Sequence, residues 1–252
     1  MSGVEGSIAA EERLRWLSDR LGLEGSVTIA GAAGALDVSE MTIRRDLLAL
    51  EARGTARRVR GGARAVGPQP FAARHTTATR AKGRIAAKLA GLLPDGGTVA
   101  FDASSTVMRL VRGLDARDLV VLTNGPDTFA ALQGISGVTP MLTGGRLDPR
   151  TGSLVGPLAC RAAGQLTVET FVASAAALDP VSDALEATLE EAEVKRSIAA
   201  GARTVILAVD ASKLGARAVA VGLDWDRVDL LVTDLDPDDE RLTPYRDLAR
   251  IL

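Results

Sequence analysis

The sequence predicts an α/β protein in two parts: an N-terminal winged helix-turn-helix over residues 1–66 and, after a linker at 67–79, a domain with a mostly parallel sheet over 80–252. Two patterns carry that expectation. An amphipathic helical stretch after Ser39 leads into a basic hairpin around Gly61-Gly62, and beyond residue 97 short apolar runs alternate with helical stretches. The chain has 252 residues, enough for two domains and a substantial core.

The first helix is expected from about Ala9 to Leu21, because Leu14, Leu17 and Leu21 form one stripe and Trp16 adds to the same core. Val27 through Leu36 has the length of a shorter helix with Thr28 as its cap, and Leu36-Asp37-Val38 makes the turn that follows. Ser39 then offers a hydroxyl to cap a helix starting at Glu40, along which Ile43, Leu47 and Leu50 recur at helical spacing. Thr42, Arg44 and Arg45 point away from that stripe, where a helix in the major groove presents side chains to base edges and phosphates. After Gly54, residues 56–60 and 63–66 flank Gly61-Gly62, a dipeptide suited to the positive φ angles of a hairpin turn. Arg57, Arg58 and Arg60 make the first arm of this wing strongly basic.

Pro68, Pro70 and Thr76-Thr77 mark the linker, and a helix is expected from Thr79 to Leu93, stopped by Pro94 and Gly96-Gly97. Strand candidates follow at 98–103, 119–123, 138–143, 171–177, 204–209 and 228–233, with helices between them at 105–114, 126–133, 157–166 and 189–202. Such alternation indicates a parallel sheet, whose ligands sit at the C-terminal strand ends. Reading those ends gives Asp102 with Ser104, Ser105 and Thr106, then Asn124, then Gly144, Gly145 and Arg146, and finally Asp210 to Lys213. These residues offer hydroxyls, an amide, close backbone approach and two cations to a small anionic polyol. Each also reads as an ordinary cap or turn, and their shared placement is what argues for a site.

Charge is divided unevenly. The formal net charge is −2, yet residues 1–94 hold 15 basic and 9 acidic groups, leaving +6, while the remaining 15 basic and 23 acidic groups leave −8. A basic end on an acidic body suits a partner such as double-stranded DNA. Hydrophobic residues make up 46% and aromatics 3%, so the core is expected to be aliphatic. Cys160 and His75 each stand alone in the sequence, which leaves no internal disulfide, no expected metal site and no cofactor signature; His75 in a polar linker reads as a surface residue. No apolar run has the length of a membrane span and the N-terminus lacks a signal-peptide layout, so a cytoplasmic location is expected.

The run Val38 to Leu47, with Leu50-Glu51, Gly54, Arg58-Val59 and Gly61-Gly62-Ala63, closely resembles the DNA-binding signature of the DeoR family of bacterial transcription regulators; Thr55 departs from the apolar residue usual there. The resemblance implies that the helix after Ser39 enters the major groove and the wing approaches the backbone. The expected DNA-contacting set is therefore Thr28, Ser39, Thr42, Arg44, Arg45, Arg57, Arg58 and Arg60. The second part is similar to the family's effector domain, which resembles ribose-phosphate isomerases in fold and binds phosphorylated sugars. Its recurring segments stand here as Asp102 to Thr106, Thr123-Asn124, Gly144-Gly145, Leu154 to Pro157 and Asp210 to Lys213; Glu191 to Arg196, including Lys195, looks like the charged helix that closes the pocket.

One stretch departs from the pattern. Ala173-Ser174-Ala175-Ala176 stands where family members usually carry Gly-Ala-Asp-Gly, so an expected pocket carboxylate is missing, and alanine performs no general acid or base chemistry. The expected function is a homo-oligomeric repressor of carbohydrate-metabolism genes, not an enzyme, released from operator DNA by a phosphorylated sugar. The alternatives are a regulator with a lost or changed effector, or a sugar-phosphate isomerase-like enzyme.

Overall fold

In the computed structural model, residues 2–53, 55–65, 71–115 and 118–252 are described; Gly54, Val66, Pro68 and Pro70 lie outside them. The chain divides into two compact units, Met1–Arg74 and His75–Leu252.

The first unit runs α1 (Ser2–Glu24), β1 (Ser26–Thr28), α2 (Ile29–Leu36), α3 (Glu40–Ala52), β2 (Ala56–Val59) and β3 (Gly62–Ala65). Helix α1 extends beyond the expected Ala9–Leu21, and Gly25 ends it with φ 74° while donating its N–H to the Leu21 carbonyl at 2.9 Å. Val27 and Thr28 are strand, not helix. Val27 opposes Ala63 in an antiparallel pairing that makes the sheet order β1-β3-β2. Thr28 nonetheless caps α2 and Ser39 caps α3, each hydroxyl accepting a backbone N–H, and Asp37 between the helices takes φ 51°. Leu17, Leu21, Ile43, Leu47 and Leu50 close the core with Trp16 packed at its margin. Asp46, buried on α3, receives Nε and Nη2 of Arg13 at 2.8 and 3.3 Å, which ties α1 to α3 by a forked ion pair.

The hairpin turn is Arg60-Gly61, one residue earlier than expected, and only Gly61 takes a positive φ, 83°. Gly62 begins β3 and serves a different need: a Cβ there would lie 2.0 Å from the Val27 carbonyl oxygen. Gly62→Ala is therefore expected to force β3 from β1 and cost the winged unit about 1–3 kcal/mol or more. Denaturant titration checks this, since Trp16 reports the first unit and Trp225 the second: the Trp16 transition should move to lower denaturant and the Trp225 transition stay.

The expected linker contains a short helix, α4 (Phe71–Thr76), in which the Arg74 guanidinium lies over the Phe71 ring. His75 on that helix is half-buried instead of exposed; burial, with Arg112 and Arg109 nearby, pulls its imidazole below the ordinary value. The chain continues through α5 (Thr79–Ala90), β4 (Gly97–Phe101), α6 (Ser105–Val111), β5 (Leu119–Thr123), α7 (Pro126–Leu132), β6 (Val138–Leu142), β7 (Arg146–Asp148) and β8 (Ser153–Val155). It then forms α8 (Pro157–Ala163), β9 (Val168–Ala173), β10 (Ala177–Asp179), β11 (Asp183–Glu186), α9 (Leu189–Ala200), β12 (Ala202–Ala208), β13 (Ala220–Leu223), β14 (Leu230–Val232) and β15 (Arg250–Ile251).

Seven strands make one sheet in the order β15-β14-β12-β9-β4-β5-β6, and every pairing in it is parallel. Alternate residues face opposite layers: Val99 and Phe101 pack with Ile85, Leu89, Val107 and Leu110, whereas Ala100 and Phe171 pack with Ala159, Val194 and Ile198. The expected strand 171–177 divides. Its backbone leaves the large sheet after Ala173, and Ala177–Asp179 joins a separate antiparallel sheet of order β10-β11-β13. That small sheet is pinned where Tyr245 donates its hydroxyl to the Leu178 carbonyl at 3.0 Å and Trp225 Nε1 donates to the Asp179 carbonyl at 3.0 Å.

Candidate DNA interface and effector site

With Ile43, Leu47 and Leu50 buried, α3 presents Met41, Arg44, Arg45 and Leu48 outward, at spacings of three and four residues that put them on one face. Arg45 is exposed and has no ion-pair partner among the described residues. Arg44 reaches back to Glu40 at 2.8 Å, an exposed pair one turn apart. Ser39 and Thr42 share a hydroxyl hydrogen bond of 2.9 Å at the start of the helix, and Thr28 keeps its hydroxyl on Gly31. In the wing, Arg57 and Arg60 are exposed, while Arg58 is spent partly within the unit: its Nε meets Glu51 at 2.8 Å, and its backbone N–H and guanidinium hold that carboxylate below the ordinary range. Met41, 54% exposed, and Leu48, 46% exposed, were not among the expected contacts. Both fall off the buried stripe in the sequence, and on a helix lying in the major groove an apolar side chain would suit the thymine methyl group.

In the large sheet, winding proceeds outward from β4 through β5 to β6, then restarts on the other side of β4 with β9 and continues to β12. The direction therefore reverses between β4 and β9, the place where ligands bind in open parallel sheets. Asp102 follows β4 and Ser174 follows β9, and the two are joined there: Asp102 accepts from the Ser104 N–H at 3.0 Å and from the Ser174 N–H at 2.7 Å. Lys195 of α9, 7% exposed, brings its ammonium to 3.2 Å from Asp102 and donates to Glu186 of β11 and to the Ser174 carbonyl. Burial opposes the Lys195 charge, but Glu186 and Asp102 outweigh it and hold the ammonium above its ordinary value. Burial also pushes Glu186 up to about 7, against the pull of Lys195.

The other expected site residues follow β4, β5, β6 and β12. Ser104 caps α6 by accepting from Val107 at 3.1 Å, and Ser105 and Thr106 are buried in its first turn. Asn124, 5% exposed, donates to the Leu154 carbonyl at 3.2 Å, and its Oδ1 has no partner among the described residues. Gly144 and Gly145 take φ of 70° and 112°, and a Cβ on Gly145 would meet the Val155 carbonyl at 2.8 Å and Ala159 at 2.9 Å, so this turn is also a packing requirement. Arg146 is exposed and lies 3.6 Å from Glu190. Lys213 sits half-buried in the 3-10 turn after β12, with no ion-pair partner among the described residues. The sequence does not link Glu186 to Lys195, which lies nine positions later across a loop, because no periodicity connects a short strand to the next helix.

A groove-sized helix with a basic outward face on one unit, and a three-layer α/β sensor on the other, define the class: a DNA-binding transcription regulator with an attached sensor domain. Residues 13–69 match the DeoR-like helix-turn-helix domain and residues 77–235 the DeoR C terminal sensor domain. The chain belongs to the DeoR family. It is 31% identical over 233 residues to the HTH-type transcriptional repressor GlcR of Bacillus subtilis, covering 90% of this chain and 89% of that one. It is 29% identical over 218 residues to the Glycerol-3-phosphate regulon repressor of Escherichia coli, covering 85% and 86%. Among solved structures, ribose 5-phosphate isomerase A of Methanocaldococcus jannaschii aligns with 52% of each chain at 13% identity and a TM-score of 0.38. The beta subunit of eIF2B from Chaetomium thermophilum aligns with 67% of this chain and 53% of its own at 16% identity and a TM-score of 0.47.

Proposed function

We propose that this regulator is an operator-binding repressor of carbohydrate-metabolism genes, acting in the cytoplasm as a homo-oligomer and released when a phosphorylated sugar occupies the strand-end site. The outward face of α3 carries the DNA half of this reading, with Arg45 unpaired among the described residues over a helix fixed by the Ser39 cap and the Arg13–Asp46 pair. Thr42, Arg44 and Arg45 would meet base edges and phosphates, with Arg57, Arg58 and Arg60 toward the backbone. The names of the similar repressors support the regulatory sign, and one of them names glycerol 3-phosphate, a phosphorylated polyol. Ser105, Thr106 and Lys213 would hold the phosphate, with Asp102, Asn124 and the Gly144-Gly145 turn beside the polyol. A ligand releases DNA only by binding better to the arrangement that holds operator poorly. The test is isolation of genomic fragments bound by the protein, followed by titration of sugar phosphates against the fragment: discrete sites released by one of the sugars support the reading.

A second reading, a regulator whose effector has changed, is favoured by the internal neutralisation of Lys195 and by the alanines at 175 and 176. Turnover of sugar phosphates is expected to be absent, and an isomerase assay checks it. Assembly supplies another expectation. Helix-turn-helix readers use two-fold related heads on paired half-sites, so the protein should sediment as at least a dimer at micromolar concentration. A monomer with full operator affinity would contradict that arrangement.

A further inference from the structure

Glu186 enters the strand-end site by a path the fold leaves open for it. A Cβ on Gly222 of β13 would lie 2.8 Å from Glu186 Cγ, and Gly222 does not need glycine for its φ, so its missing side chain makes room for the glutamate. The result is a buried lysine facing two carboxylates. With Glu186 ionised the Asp102–Lys195–Glu186 group carries −1, and with Glu186 protonated it carries zero; in neither state is a positive charge left for a ligand. Glu191 adds a further negative charge close enough to act on both Glu186 and Lys195. At the neighbouring strand end, the buried Asn124 Oδ1 is an acceptor that lacks a donor among the described residues. Among the described residues this part of the site therefore has an excess of acceptors over free cations, and a buried acceptor without a partner gains most from a neutral or positive donor.

We propose that Glu186 determines effector specificity: the end of the ligand that reaches the β4–β9 switch point carries hydroxyl or amine groups, and a carboxylate is rejected there. This rests on the strand-end effector reading above, and it deepens that reading by assigning the charge of the ligand's buried end. The phosphate end of the ligand falls to Ser105, Thr106 and Lys213, as in the strand-end reading. A sugar acid phosphate, anionic at both ends, is not.

Calorimetric titration of the full chain at pH 8 with matched pairs tests this: glucose 6-phosphate against 6-phosphogluconate, ribose 5-phosphate against 5-phosphoribonate, and erythrose 4-phosphate against 4-phosphoerythronate. The pair that binds should show at least a tenfold preference for the sugar over the acid. Glu186→Gln, which keeps the shape and removes the charge, should narrow that preference at least tenfold, and Glu186→Thr should do the same. Equal wild-type affinity for the two members of a bound pair overturns the inference while leaving the effector site standing. A preference that neither variant moves also overturns it alone. Silence of every pair in wild type and variants overturns the effector reading together with this one.

Discussion

Replacing Arg45 with alanine is expected to weaken operator binding and relax its selectivity while leaving the winged unit folded. The side chain is exposed, makes no ion pair among the described residues, and stands on the face opposite Ile43, Leu47 and Leu50, so its loss removes no core contact. A base-reading arginine is worth about 1–3 kcal/mol of discrimination, or roughly 5- to 150-fold in affinity. Arg44→Ala should act in the same direction with a slightly smaller effect. Its exposed pair with Glu40 is worth about 0.3–0.5 kcal/mol, which must be given up before the guanidinium reaches DNA. That cost is too small to keep Arg44 off the groove. Arg57→Ala, by contrast, should weaken all duplexes alike and flatten the salt dependence by about one counterion. Fluorescence anisotropy at fixed and varied salt separates these outcomes; unchanged operator affinity in both Arg44→Ala and Arg45→Ala would remove α3 from the interface.

Lys195→Met is expected to destabilise the sensor domain by about 3–5 kcal/mol, the usual consequence of removing one partner from a buried ion pair. Two carboxylates, Asp102 and Glu186, would remain buried without their cation, and the loop after β9 would lose the ammonium that holds the Ser174 carbonyl. The deficit should depend on pH, with a definite sign. Glu186 already sits at about 7 with Lys195 present, and losing the ammonium raises it further above its unfolded value. A carboxyl with a raised folded-state pKa favours folding relative to its ionised form at low pH, and the advantage is lost as pH rises through that pKa. The variant should therefore lie closest to wild type near pH 5 and fall further behind by pH 8. Denaturant unfolding followed at Trp225 measures both; a deficit that is equal at the two pH values would mean that the carboxylates are not buried against Lys195.

Much of the DNA-binding unit was legible in the sequence because its signals are local. Ser39, the Ile43-Leu47-Leu50 stripe and Thr28 each act within one helical turn, and the structure places all of them as caps and core. Where a local rule had two meanings, the wrong one was available: Gly62 suited a turn, and what requires glycine there is the Val27 carbonyl of a strand far away in sequence. The parallel sheet was likewise readable as apolar runs between helices. The small β10-β11-β13 sheet was not, because strands of three or four residues show too little alternation, and the groups that hold β10, Trp225 and Tyr245, lie more than 45 residues later in the chain. The same gap hid Glu186. Ala175-Ala176 lacks a carboxylate that the family resemblance leads one to expect, while the fold brings another to Lys195 from β11.

Selection from a random duplex library by the full-length protein tests most directly whether α3 reads DNA. A two-fold symmetric motif is expected, its half-sites separated by about one helical turn, 10–10.5 base pairs, or a multiple of it, recovered by the wild type and lost in the Arg44→Ala, Arg45→Ala double variant. Enrichment of no motif by the wild type, or recovery of the same motif by the double variant, would contradict it.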